Sequence, residues 1–114
     1  MNVLGQEDCR DIIKELEPVA HKWYEIGLAL GLTPNSLDRL KALAIGENDF
    51  IKLLTSMIVE WLRMRYNTVR FGKPTWRRIV EAVREDTGGR NPALADELAK
   101  NYGGKMHDQH LLYI

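Results

Sequence analysis

The sequence predicts an all-α fold of six short helices. Apolar residues recur at intervals of three and four along most of the chain, which is typical of helices that bury one face. No stretch alternates apolar and polar residues for long enough to indicate a sheet. Proline, glycine and capping residues divide the periodic stretches, and connections of a few residues favour antiparallel neighbours. The expected architecture is therefore one antiparallel bundle.

The first half of the chain divides into three predicted helices. Pro18 separates the first from the second, because proline fits the first turn of a helix but disrupts its interior. Gly31 ends the second helix, and Thr33 and Pro34 begin the third as its N-cap and first helical residue. The apolar faces of these helices contain Trp23, Leu30, Leu37, Leu40 and Leu43, of which Trp23, Leu30 and Leu40 are predicted core residues.

The second half divides into three further helices. Asn48 or Asp49 is expected to cap the fourth, Pro74 to open the fifth after a loop, and Pro92 to begin the sixth. The fourth helix has the clearest apolar stripe, in steps of three and four residues. The predicted core residues of these helices are Phe50, Met57, Trp61, Trp76, Ile79, Leu94 and Leu98.

The chain has no interdomain linker or internal repeat in its sequence. We therefore predict one domain over residues 1–104. Gly103 and Gly104 are expected to end the sixth helix, as glycine often does. Residues 105–114 are then expected to form a flexible C-terminal tail.

Composition restricts the classes of function. The 114 residues include 16 basic and 16 acidic side chains, so the formal net charge is zero. A zero net charge counts against general affinity for nucleic acid or an acidic membrane. No apolar run approaches the ~20 residues of a membrane helix, so no membrane insertion is expected. The single cysteine, Cys9, indicates a reducing compartment and hence a cytoplasmic location.

The sequence gives no catalytic, metal or cofactor site. His107 and His110 are three residues apart, but no glutamate lies between them and no second ligand pair is near, so a solvated tail is the better interpretation. The tryptophans lie on apolar stripes, which favours packing over stacking on a ligand. No serine or cysteine lies in an evident nucleophile motif. We therefore expect a protein that is not an enzyme and needs no cofactor.

The zero net charge conceals an uneven distribution. Residues 1–20 have a net charge of −3, whereas residues 61–90 have a net charge of +5. Arginine predominates in the basic stretch, which suits bidentate recognition of carboxylates. Two patches of opposite sign could pair head to tail with further copies or with a related domain, because complementary charge steers encounter and sets register.

Several of these stretches, taken in order, resemble the death domain. Residues 23–32 resemble its second helix, with a tryptophan followed by a Leu-Gly-rich end and a Thr-Pro entry to helix three. Asp49 precedes a long apolar helix that contains the segment from Met57 to Trp61-Leu62. The segments Pro74-Thr75-Trp76, Ile79-Val80, Ala82-Val83 and Leu94-Ala95 with Leu98 continue the order. The resemblance covers roughly residues 7–102.

The resemblance implies a six-helix Greek-key bundle without catalysis. It implies an adaptor that docks on other death domains, homotypically or heterotypically, in apoptotic or innate immune signalling complexes. Self-association is one form of such docking. The surfaces that the resemblance assigns to docking contain Glu7, Asp11 and Glu15 on helix one, Asp38, Arg39 and Lys41 on helix three, Arg63, Arg65 and Arg70 around the end of helix four, and Arg77 and Arg78 on helix five.

A helical nucleic-acid-binding domain is the alternative. Arginines between predicted helices four and five could contact a phosphate backbone, with Arg77 and Arg78 at the start of helix five. The zero net charge counts against this alternative, as do Glu81 and Glu85 on the same helix. Protein docking is the preferred interpretation.

Overall fold

The computed structural model describes residues 3–44 and 49–106. These residues form an all-α bundle in which six helices have eight residues or more, which confirms the predicted fold class. A seventh helix, α5, has a single turn, and two short 3-10 helices span Gln6–Asp8 and Glu17–Lys22. The α-helices are α1 Cys9–Leu16, α2 Trp23–Leu30, α3 Pro34–Leu43, α4 Phe50–Leu62, α5 Thr68–Phe71, α6 Trp76–Arg84 and α7 Pro92–Met106.

Side-chain caps fix where most of these helices begin. The Thr33 hydroxyl accepts a hydrogen bond from the Ser36 amide at the start of α3. The Asp49 carboxylate accepts from two amides in the first turn of α4. Asn91 caps α7 through the Leu94 amide. Each cap satisfies backbone donors that a helix cannot satisfy internally, so the predicted starts of α3, α4 and α7 are confirmed.

Other predicted boundaries shift. The 3-10 helix Glu17–Lys22 contains Pro18 in its first turn and a non-helical Val19, so α2 begins only at Trp23. At the start of α6 the capping residue is Thr75 rather than Pro74. The predicted end of the last helix is wrong, because α7 continues through Gly103 and Gly104 to Met106. Glycine lowers helix propensity by only about 1 kcal/mol, which tertiary packing of the preceding turns offsets. The tail from residue 107 onward lies outside the described residues.

The core occupies the faces on which α1, α2, α4, α6 and α7 meet. All three tryptophans are buried, and Trp61 has no exposed surface. Of the predicted core residues, Trp23, Leu30, Met57, Trp61, Trp76, Ile79 and Leu98 are buried, while Leu40 and Leu94 are half-buried against the same cluster. Burial of the large aromatic and aliphatic side chains is the main force that holds the bundle together.

Two predicted inward residues are instead exposed. Phe50 is 47% exposed, so its assignment to the core is wrong. It is the first residue of α4, and side chains tilt toward the N-terminus of their helix, which directs Phe50 beyond the packed region. Leu43 is 80% exposed at the last residue of α3. Periodicity identifies the face of a helix, but the ends of a helix extend past its neighbours.

Helix α4 lies at the centre of the arrangement. It packs against α1, α2, α3 and the 3-10 helix Glu17–Lys22, and α6 packs mainly against α7 and α2. Helices α1 and α3 both contact α4 but have at most marginal contact with each other within the described residues. The charged side chains of α1 and α3 therefore belong to two helices that do not pack on each other. No helix in the described part of the chain is long and apolar enough to cross a membrane.

Candidate protein-interaction surface

A buried glutamate on α4 brings two of the predicted docking surfaces together. The Glu60 side chain is only 11% exposed. Its Oε1 lies 3.3 Å from Arg65 Nη1, and its Oε2 lies 3.7 Å from Arg39 Nη2. Arg39 comes from α3 and Arg65 follows α4. The three residues form one cluster, which we call the arginine pair on Glu60.

Local backbone geometry places Arg65 beside Glu60. Met64 has a positive φ of 58°, which reverses the chain just after the end of α4. This left-handed conformation is uncommon for a residue other than glycine. The Arg65 amide then donates to the Glu60 carbonyl over 3.4 Å, so backbone and side chain of Arg65 both return to the same residue. Arg39 reaches the carboxylate because α3 packs directly on α4.

The arginine pair keeps most of its surface available. The Arg39 and Arg65 side chains are 61% and 57% exposed, although Glu60 is buried. Among the described residues, Glu60 Oε2 has no hydrogen-bond partner. Two guanidinium groups and one carboxylate leave a local charge of +1, with N–H donors that Glu60 does not use. This cluster can therefore accept a further carboxylate from outside the chain.

Other predicted residues on α3 lie near this cluster. The Asp38 carboxylate accepts a hydrogen bond of 2.8 Å from the Tyr24 hydroxyl. This hydrogen bond raises the pKa of Tyr24, with burial and the charge of Asp38 acting in the same direction. Asp38 and Lys41 are both exposed on α3. The Tyr24 contact fixes α3 against α2, so Asp38 helps to position the surface that Arg39 presents.

Arg78, which was also predicted for docking, makes contacts within the fold. Its Nη2 donates to the Ala29 carbonyl at 2.9 Å, and its Nη1 donates to Glu81 at 2.8 Å. The side chain is only 22% exposed. Arg78 therefore ties α6 to the end of α2, and its internal contacts leave little of its side chain accessible to a partner. Its neighbour Arg77 is half-buried and also has an interaction within the chain.

The remaining predicted basic residues lie around the end of α4 and the loop that follows. Arg63 is exposed at the C-cap of α4. Arg70 is exposed, with its guanidinium carbon 5.1 Å from the centroid of the Phe71 ring. These arginines are presented by the same chain segment as Arg65, which supports their predicted grouping around the end of α4.

The acidic residues predicted for docking differ in their surroundings. Glu7 lies on the 3-10 helix before α1 and Asp11 lies on α1, and both are exposed. Glu15 is half-buried and hydrogen-bonds to the Tyr102 hydroxyl. Burial, followed by this hydrogen bond and the Glu15 charge, raises the pKa of Tyr102 to about 12. Glu15 therefore fixes α1 against α7, and Glu7 and Asp11 remain as the accessible acidic residues.

Sequence reasoning missed the role of Glu60 and one contact of Tyr102. Glu60 borders the apolar stripe of α4, three residues after Met57 and just before Trp61. A charged residue at that border is a signal of a buried carboxylate with a cationic partner. Tyr102 stacks on Trp76 with ring centroids 3.8 Å apart and an interplanar angle of 12°. Its position on the face of α7 that contains Leu98 was evident from the sequence, but its bond to Glu15 was not.

Other kinds of site have little support in the described part of the chain. There, no group of three or more His, Cys, Asp or Glu side chains could hold a metal ion. His107 and His110 lie outside the described residues. A shallow cavity of about 450 Å³ is lined by Leu28, Ala29, Arg70, Phe71, Arg78, Glu85 and Thr87. Like the arginine pair on Glu60, it combines two arginines with one glutamate, but here Arg78 already donates to the Ala29 carbonyl and to Glu81.

Comparisons with known proteins add no relative. No family model matches the chain, and neither a curated protein nor a solved structure shows significant similarity to it. The resemblance to death domains therefore depends on the residues quoted for it above.

Proposed function

We propose that this chain is a non-catalytic protein–protein interaction module of the death-domain type. It docks onto further copies of itself or onto related six-helix domains and assembles oligomeric signalling complexes, as in apoptosis or innate immunity. The observation that carries the proposal is the arginine pair on Glu60, which presents Arg39 from α3 and Arg65 from the connection after α4, at 61% and 57% exposure.

The cluster has the properties of a recognition site for carboxylates. Glu60 accepts a hydrogen bond from Arg65 and lies within ion-pair distance of Arg39, so less conformational entropy is lost when a partner binds these guanidinium groups. Arginine presents N–H donors in a planar fork that matches a carboxylate. Arginine is also enriched in protein interfaces, whereas lysine is depleted. The expected counterpart is an exposed acidic residue on a helical surface.

The same chain offers such a counterpart on another side. Glu7 and Asp11 are exposed on and before α1, and α1 has at most marginal contact with α3 in the described structure. A contact between the α1 surface of one copy and the arginine pair of the next joins two different surfaces. Such a heterologous contact continues into an open chain of subunits or closes into a ring. This asymmetry supports assembly of more than two copies.

Charge alone does not supply high affinity. Exposed ion pairs each contribute about 0–1 kcal/mol, whereas a micromolar complex requires about 8 kcal/mol. The charged pairs therefore fix register and accelerate encounter, and burial of further surface supplies the remaining free energy. We expect weak contacts between single copies that become strong in an oligomer through multivalency.

Paired charge reversals test the proposal. Asp11→Lys alters the acidic surface and Arg65→Glu alters the arginine pair. Sedimentation velocity over a concentration series is expected to show that the unaltered chain self-associates. This self-association is expected to weaken at high salt. Each variant alone is expected to be monomeric. An equimolar mixture of the two variants is expected to associate, because each variant retains the surface that the other lacks.

Two controls distinguish docking from misfolding. Lys100→Glu makes the same change in charge as Arg65→Glu, at an exposed position on α7. This control is expected to leave assembly unchanged. Thermal unfolding followed by circular dichroism reports whether each variant is folded. A monomeric unaltered chain at every concentration, or a mixture of variants that stays monomeric, would contradict the proposal.

A further inference from the structure

The connection between α4 and α6 has an unusual composition. Residues 63–73 contain Arg63, Arg65, Arg70 and Lys73 and no acidic residue. The absence of acidic residues extends over the whole of residues 61–80. The chain as a whole has no net charge, so this connection concentrates positive charge in one place. We call residues 63–73 the basic connection.

The basic connection is held in a defined conformation. The Asn67 side chain accepts from the Arg70 amide at 3.1 Å and so caps α5. The Tyr66 hydroxyl donates to the Gly72 carbonyl at 2.7 Å, which closes the segment on itself. The Phe71 ring lies against Gly31, where an added Cβ would come within 2.7 Å of the ring. The connection is therefore preorganised, and its side chains are presented in fixed directions.

An apolar side chain projects from this basic segment. Val69 on the one-turn helix α5 is 97% exposed, and Met64 is 38% exposed. Arg63, Arg70 and Lys73 are exposed in the same segment. Contact of an apolar side chain with water is unfavourable. An exposed apolar side chain surrounded by cations is complementary to the surface of a lipid bilayer, where phosphate groups lie next to acyl chains.

Acidic groups nearby offset only part of the charge. Glu60 pairs with Arg65, and Glu81 pairs with Arg78 on α6. Glu85 lines the shallow cavity to which Arg70 also contributes. In the structure described, no salt bridge involves Arg63, Arg70 or Lys73 within 4.0 Å of a carboxylate. These three cations and Val69 therefore form the proposed contact surface.

We propose that the basic connection binds the surface of a membrane rich in anionic phospholipids. Arg63, Arg70 and Lys73 contact lipid phosphates, and Val69 enters the interface between headgroups and acyl chains. Juxtaposed basic and apolar side chains are the features that bind peripheral proteins to anionic bilayers. The contact is peripheral and requires no spanning helix. This inference goes beyond the proposed docking role. It uses Arg63, Val69, Arg70 and Lys73 and not the arginine pair on Glu60, although Arg65 of that pair lies in the same chain segment.

A nucleic acid would require different features. Binding to single strands uses aromatic side chains on which bases stack, whereas Tyr66 and Phe71 are half-buried here and the most exposed apolar side chain is Val69. Arg78, which a phosphate backbone was expected to contact, is engaged with Ala29 and Glu81. The exposed side chains of the connection therefore favour a lipid surface.

Flotation with lipid vesicles tests this inference on the whole chain. One set of vesicles contains phosphatidylcholine alone, and the other contains about 30 mol % phosphatidylserine, comparable in sign and scale to an anionic leaflet. We expect the chain to float with the anionic vesicles and not with the neutral ones. Lys73→Glu and Val69→Asp are each expected to reduce the bound fraction several-fold.

Matched substitutions elsewhere provide the controls. Lys100→Glu repeats the charge reversal on α7, and Leu43→Asp repeats the loss of an exposed apolar side chain at the end of α3. Both are expected to bind vesicles like the unaltered chain.

The inference is overturned if anionic vesicles fail to bind the chain, if Lys73→Glu and Lys100→Glu weaken binding equally, or if Val69→Asp has no effect. Tight, salt-sensitive binding of labelled DNA without vesicle binding would also overturn it. The monomeric variant Asp11→Lys is tested in parallel, so that failure of self-association is distinguished from failure of lipid binding.

Discussion

Arg65 and Arg78 contrast two junctions of the bundle. At the junction of α2 and α6, Arg78 is 22% exposed and donates to the Ala29 carbonyl and to Glu81. At the junction of α3 and α4, Arg65 contacts a buried Glu60 but is itself 57% exposed. Both arginines are in the same basic stretch of the sequence. The difference shows that the role of each arginine depends on which member of the contact is buried. Arg78 is itself largely buried, whereas at the other junction Glu60 is buried and Arg65 is exposed.

The largest expected effect concerns the core that both junctions cover. Trp61 follows Glu60 directly but has no exposed surface. Trp61→Ala is expected to lower the free energy of unfolding by about 3–5 kcal/mol, because it removes a large buried side chain and leaves a cavity. Urea unfolding followed by circular dichroism measures this loss. A loss below about 1 kcal/mol would show that Trp61 does not anchor the core.

The comparison itself is tested by the same substitution at each junction. Arg78→Gln is expected to lower the free energy of unfolding by about 1.5–3 kcal/mol, since it removes charged hydrogen bonds at a largely buried position. Arg65→Gln is expected to cost at most about 1 kcal/mol, as is usual for an exposed ion pair. Chemical unfolding of both variants measures the difference. Equal losses would break the distinction between a structural and a surface arginine.

A small effect is expected on the acidic side of the bundle. Tyr102→Phe keeps the stacking on Trp76 and removes the hydrogen bond to Glu15. We expect a loss of about 0.5–1.5 kcal/mol near neutral pH. Thermal unfolding at neutral pH measures this loss, and an unchanged melting temperature would show that the hydrogen bond does not hold α1 against α7.

The same variant has a defined dependence on pH. The pKa of Tyr102 is about 12 in the folded chain against 10.0 for an unperturbed tyrosine. The folded state therefore holds this proton more tightly, so its stabilising contribution is complete below pH 10 and is lost as the pH rises toward 12. Unfolding measurements across that window should show a smaller decline for Tyr102→Phe than for the unaltered chain. Parallel declines would mean that Tyr102 does not titrate differently on folding.

The sequence predicted the helices better than their ends. The apolar stripe of α4 identified Met57 and Trp61 as core residues, because a period of 3.6 residues is a local property. Phe50 and Leu43 follow the same period but are exposed, because burial also requires a neighbouring helix that packs against that position along the helix axis. The continuation of α7 through Gly103 likewise depends on the structure and not on propensity.

The candidate surface was predicted in composition but not in arrangement. The excess of arginine in residues 61–90 is present in the sequence, and Arg39 and Arg65 were both assigned to docking surfaces. Their convergence on Glu60 required the packing of α3 on α4 and the left-handed turn at Met64. The exposure of Val69 likewise became apparent only once α5 had formed in a segment predicted to be a loop.

By itself, the sequence determined the fold class, the central helix and the separation of charge between residues 1–20 and residues 61–90. These follow from periodicity, capping residues and composition, which act over a few residues. Tertiary structure decided which charged side chains are structural and which are exposed. That decision depends on whether a carbonyl or carboxylate from a distant element comes within hydrogen-bond distance, as Ala29 does for Arg78. The sequence pattern does not contain such distances, because they are set only when the helices pack together.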